Sequence, residues 1–120
     1  MKITPLDLVS QDDRGYVSEY EQNRTGNHLL VFTKEGIVRG RHFHKGLSAS
    51  KNPEIIILLT GTCTFGWRHI ESDTMQSQTV VAPARIEIPA LIWHELKAET
   101  DCTLIEFNSM EEHKADTFYN

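Results

Sequence analysis

The strongest constraint on this chain is a pair of imidazoles two residues apart. They close the stretch Gly36-Ile37-Val38-Arg39-Gly40-Arg41-His42-Phe43-His44. Residues i and i+2 of a β-strand face the same side, so His42 and His44 share a face only if this segment is extended. Glu54 follows, with Gly61 beyond it, and Pro89-Ala90-Leu91-Ile92-Trp93-His94 comes later. Strands closing into a small barrel would bring His42, His44, Glu54 and His94 together in its mouth. Such a group suits a divalent metal or proton-transfer chemistry.

The rest of the chain supports strands. Residues 28–33, 37–44, 54–60, 63–69, 78–82, 85–88, 93–97 and 102–107 read as short β segments. They are rich in β-branched and apolar residues and separated by turn signals, the pattern of an all-β sandwich or barrel. The core is expected from Ile55, Ile57, Leu59, Phe65, Val81, Ile86, Ile88 and Leu104. Met110 to His113 reads as one helical turn. Lys45 to Pro53 is rich in loop residues and reads as a mobile lid or a surface loop. Trp67 and Trp93 read as packing aromatics, and His28, His69 and His113 as surface residues. Cys63 and Cys102 sit in apolar strands and read as buried thiols.

At 120 residues, one domain spanning 1–120 is expected. The net charge of −5 argues against nucleic acid as a partner. The longest apolar run, Ile55 to Leu59, is too short to span a bilayer, and no membrane partner is expected. The start, Met1-Lys2-Ile3-Thr4-Pro5, has no leader-like apolar run, so the cytoplasm is the expected compartment.

The spacing resembles the two cupin motifs. Gly36 to His42, the His-x-His pair and Glu54 to Gly61 keep the pattern of the first, at about residues 36–61. Nine residues separate His44 from Glu54, more than that motif has. The second, at about 83–98, keeps Pro89 and His94 but has Pro83 and Leu91 at its glycine positions and Ala98 at its asparagine. A side chain at Leu91 is expected to tilt the strand and draw His94 away. The fold this resemblance implies is all-β: a double-stranded β-helix, or jelly-roll barrel, with a short C-terminal extension.

Asp12-Asp13-Arg14-Gly15-Tyr16 and Arg39-Gly40-Arg41-His42-Phe43-His44-Lys45 resemble signatures of sugar-nucleotide epimerases and ketoisomerases. Phe107-Asn108-Ser109 and Ala115-Asp116-Thr117-Phe118 resemble the end of a metal-binding cupin domain in bifunctional capsular-polysaccharide enzymes. The resemblance implies an isomerase that epimerises or isomerises a nucleotide-linked keto-sugar in polysaccharide or deoxysugar biosynthesis. It places the base on His42 and phosphate contacts on Arg39, with Arg14 and Arg41 as further substrate ligands. The epimerases carry a lysine near the position of Glu54.

His42, His44, Glu54 and His94 are a donor set for Zn, Fe, Mn, Ni or Cu. A histidine bound to metal cannot also be the base, so with metal the proton passes to Glu87 or Tyr16. Without metal, His42 is the base and His44 an acid or the group that orients the sugar. Other readings are a metal-dependent oxygenase or isomerase of another small molecule, and a non-enzymatic ligand-binding cupin. A homodimer is expected through the N-terminal segment, with Arg14 entering the neighbour's site.

Overall fold

The computed structural model describes all residues, 1–120. Eleven strands precede one short helix: β1 (Lys2–Pro5), β2 (Leu8–Asp12), β3 (Gly15–Ser18), β4 (Leu29–Thr33), β5 (Val38–His42), β6 (Glu54–Thr60), β7 (Thr62–His69), β8 (Gln76–Val81), β9 (Ala84–Ile88), β10 (Ile92–Ala98), β11 (Cys102–Glu106) and α1 (Met110–Ala115). One sheet has the order β1-β9-β6-β11-β4 and the other β5-β10-β7-β8, while β2 and β3 form a separate hairpin. Every pairing is antiparallel. The result is a jelly roll of two facing sheets, as expected. No helix is long and apolar enough to cross a membrane.

Period-two alternation decides what enters the core. On β6, Ile56 and Leu58 turn inward to meet Phe65, Val80, Ile86, Ile88, Leu96 and Leu104. Ile55 and Ile57 turn outward and are covered by Phe107, Leu6, Leu59 and Ile105. Val81 is a correction to the expected core: it is 62 % exposed, and Val80 is buried in its place. The register explains the shift. Ala98, Cys63 and Val80 lie side by side across three strands, and cross-strand partners share a face. Both cysteines are buried and unpaired, and burial pushes the Cys63 thiol up to about 12.

The segment from Lys45 to Pro53 runs along the surface at Lys45, Leu47, Ala49 and Asn52, and it is anchored from within. It turns through a single 3-10 turn, Ala49–Lys51, with Ser50 and Lys51 buried. The Arg24 guanidinium donates to the carbonyls of Ser50 (2.8 Å) and Pro53 (2.7 Å). The buried Asp116 carboxylate accepts from the amides of Lys45 (2.8 Å) and Ser48 (3.2 Å). These bonds fold the nine intervening residues back on themselves, so Glu54 still starts β6 beside His44.

Candidate active site

The three histidines of the expected quartet meet, and Glu54 joins them through its contact with His44. His42 ends β5, His94 lies on β10 directly opposite it, and Glu54 opens β6. The ligating atoms of His42, His44 and His94 all lie within 4.8 Å of one another. The stretch before His42 is tightly built. Gly40 has φ +93°, and a Cβ there would sit 2.8 Å from the His94 carbonyl oxygen. Leu91 adopts φ +68°, the left-handed conformation that glycine supplies in the cupin motif. The expected tilt is absent: the Leu91 amide donates to the His44 carbonyl at 2.7 Å, and His94 stays in the cluster.

Carbonyl partners fix two of these imidazoles. His44 Nδ1 lies 2.6 Å from the Asp116 carbonyl oxygen, and His94 Nδ1 lies 2.9 Å from that of Ile92. A carbonyl only accepts, so Nδ1 carries the hydrogen in both rings. Metal-bound histidines are held in this way, through the nitrogen away from the ion. His44 Nε2 is 2.5 Å from Glu54 Oε2, yet off the line of a hydrogen bond, so this buried nitrogen has no hydrogen-bond partner. A buried nitrogen and a carboxylate oxygen converging without a hydrogen bond fit a shared cation. The residues present therefore suit a divalent metal.

The electrostatics point the same way. Burial, with help from His94 and His44, pushes His42 down to about 3, and burial also lowers His94. Neutral imidazoles are the form that binds metal. Burial raises the Glu54 carboxyl, but the Lys51 ammonium beside it lowers it, and the group lies well below the usual range. Lys51 is fully buried, and its Nζ donates to Glu54 Oε2 at 2.9 Å.

A cavity of about 240 Å³ opens beside this cluster. Among its lining residues are Arg39, His42, Glu54, His94, Glu106 and His113. Arg39 donates through Nε to Thr33 Oγ1 (2.7 Å) and through Nη2 to the Phe32 carbonyl (3.0 Å), which holds it at the cavity wall.

The other expected residues lie elsewhere. Arg41 pairs with Glu95 at 3.1 Å on the outer surface. Glu87 faces an outer groove with Lys2 and Tyr20, 3.8 Å from Arg85. Arg14 is 87 % exposed beside Asp12, and Tyr16 is exposed on the β2–β3 hairpin. Within one chain, neither Glu87 nor Tyr16 reaches the cavity, so the proton-transfer role expected of them has no support there.

Three residues join the site instead. His113, expected at the surface, lines the cavity with its ring 5.4 Å from that of His42. Burial, then the Lys51 charge, pushes it down to about 4. Lys51 has its own signal, since it lies three residues before Glu54. Glu106 makes no side-chain hydrogen bond or ion pair, and burial beside Glu54 pushes it up to about 7. Its signal was the alternation of β11, which puts it on the inward face of Leu104.

No curated protein sequence matches the chain. A double mutant of the QdtA 3,4-ketoisomerase from Thermoanaerobacterium thermosaccharolyticum, in complex with TDP, is similar at 21 % identity and TM-score 0.76, covering 99 % of this chain and 86 % of that one. The RmlC epimerase of Legionella pneumophila, in complex with dTDP-4-keto-L-rhamnose, is similar at 16 % identity and TM-score 0.68, covering 98 % and 70 %. The capsular polysaccharide assembling protein CapF of Staphylococcus aureus is similar at 23 % identity and TM-score 0.65; the match covers 96 % of this chain but only 34 % of CapF. These likenesses establish the fold. The model of the polysaccharide biosynthesis C-terminal domain matches residues 10–118, and the chain belongs to that family.

Proposed function

We propose that the chain epimerises or isomerises a nucleotide-linked keto-sugar, with His42, His44, Glu54 and His94 holding a divalent transition metal. The observation that carries this reading is the meeting of metal-ready imidazoles with a partnerless carboxyl, Glu106, in one cavity. The nucleotide-sugar ligands of the similar ketoisomerase and epimerase support it, as does the family's place in polysaccharide biosynthesis.

A metal held there supplies Lewis-acid polarisation of a ketone. The protein's own groups do the rest. Glu106 takes the proton from the carbon beside the ketone and, in a keto shift, delivers it to the neighbouring carbon, a role suited to a carboxyl raised toward neutrality. With His42 a ligand, the base is a carboxylate. Drug-sized ligands need cavities of about 300–1,000 Å³. The smaller cavity here takes the sugar ring, and the diphosphate lies outside it along Arg39, which binds it by charge-assisted hydrogen bonds.

The β2–β3 hairpin stands apart from both sheets with Leu8, Val9, Tyr16 and Val17 exposed. A lone hairpin is marginal in water. A homodimer would cover it, and Arg14 and Tyr16 would then serve the partner's site.

Saturation-transfer NMR with dTDP and UDP tests the ligand class. Binding of at least one, weakened in Arg39→Ala, is expected; no binding of either contradicts the reading. Plasma mass spectrometry should find near-stoichiometric metal in the wild type and little in His44→Ala. Equal content in the two would remove His44 from the ligand set.

A further inference from the structure

The histidines around the cavity are not equivalent, and Lys51 is the reason. Its Nζ lies 3.0 Å from His113 Nδ1. An ammonium has three donors and no lone pair, so His113 Nδ1 must accept. The hydrogen of that neutral ring is then on Nε2. This is the reverse of His44 and His94, whose Nδ1 atoms face carbonyls. Two rings therefore carry the lone pair on Nε2, and the third carries an N–H there. His113 Nε2 has no protein partner, and the residue lines the cavity.

The arrangement is well braced. His113 belongs to α1, which is closed at its start by a capping box between Ser109 and Glu112. Ser50 Oγ donates to Glu112 Oε2 at 2.6 Å and ties the helix to the segment that carries Lys51. The Thr117 hydroxyl donates to the His113 carbonyl. Lys51 also donates to Glu54, so one buried ammonium sets both a carboxylate of the metal site and the tautomer of the neighbouring ring.

We propose that His113 is a catalytic hydrogen-bond donor, presenting Nε2–H to the oxygen that becomes charged when the keto-sugar is deprotonated, and that Lys51 is the positioning residue that enforces this tautomer. The inference rests on the isomerase reading above and adds a residue to it. As the base takes the proton, the C–H electron pair becomes a carbon–carbon double bond. The carbonyl π pair moves to oxygen, where the His113 N–H accommodates it. Protonation of the opposite face of the same carbon, by a proton from solvent, completes epimerisation with no net change of oxidation state. A donor aimed at developing charge acts chiefly in the transition state.

Two measurements test this. Long-range ¹H–¹⁵N NMR of the histidine rings, on zinc-loaded wild type with His113→Asn for assignment, reads the tautomer without any substrate. A protonated Nε2 and bare Nδ1 at His113 are expected; a protonated Nδ1 overturns the proposal. The second is hydrogen exchange into a nucleotide-linked 4-keto sugar. His113→Asn keeps a partner for Lys51 but puts no donor at the Nε2 position, and should lower kcat by about 10²–10³-fold with KM nearly unchanged. His113→Gln, whose amide reaches the Nε2 position, should recover most of that loss. Equal kcat in the two variants, both folded, overturns the donor role while the isomerase reading stands. An inert wild type overturns that reading and the catalytic role together.

Discussion

Each charged group in the cavity is defined by what it lacks or what it touches. Glu106 is the residue without a partner, and burial beside Glu54 pushes it up to about 7. It must lose its proton to act as a base, so activity should rise with pH through about 7. Glu106→Gln should lower the exchange rate by about 10²–10⁴-fold and remove that limb of the pH profile. Retention of the limb in the variant would assign the proton transfer to another group. The quartet His42, His44, Glu54 and His94 was legible because strand alternation and motif spacing place it from local sequence. His113 and Lys51 were not legible in the same way. Their roles depend on a helix folding back from the end of the chain over a loop some sixty residues away, a contact that no local period encodes. Glu106 was legible in principle, since Leu104 and Glu106 share a face, but a lone acid in an apolar strand reads as solvent-facing until its neighbours are known.

At the scale of elements, the strands followed from turn residues and β-branched runs, and their bounds agree with the structure within a residue or two at most positions from β4 onward. The early strands β1 to β3 did not stand out. They are short and mostly exposed, so they lack the alternation that a half-buried strand shows. The placement of Val81 failed by one residue, which in a strand exchanges the two faces. The turn between β6 and β7 is the most demanding backbone element. Gly61 has φ +93°, and a Cβ there would collide with the Asp101 carbonyl and lie 2.8 Å from Cys102 Sγ. Both neighbours belong to the start of β11 or the residue before it, so neither can withdraw without disturbing the sheet. Gly61→Ala should cost more than about 2 kcal/mol, combining left-handed strain with a backbone clash. Denaturant unfolding would measure it, and a loss below about 0.5 kcal/mol would show that the turn relaxes freely.

For the whole molecule, burying so many ionisable groups couples stability to acid. The folded protein holds His42 down to about 3 and His113 down to about 4, whereas unfolded histidines titrate near about 6.5. Between these values the unfolded chain binds more protons, so their contribution to stability is present above about pH 6.5 and lost as pH falls toward 3–4. Glu54, held well below its usual range, acts in the same direction as the pH falls through the carboxylate range. Glu106 acts oppositely. Raised from 4.5 to about 7, it favours the folded state at low pH and loses that advantage as pH rises through 7. The two histidines with Glu54 outnumber it, so the metal-free protein should lose stability steadily from about pH 6.5 downward. Thermal unfolding across pH 4–8 would check this, and a melting temperature that rises on acidification would contradict the assignment of buried neutral imidazoles.

The most direct test of the account is incubation of the metal-loaded protein in deuterium oxide with dTDP- and UDP-linked 4-keto-6-deoxy sugars, followed by proton NMR of the sugar. Deuterium is expected at a carbon adjacent to the ketone, with an epimerised or keto-shifted product, and none of this in Glu106→Gln. Sugars that bind but keep every carbon-bound proton would contradict it and leave the cavity a binding site without proton-transfer chemistry.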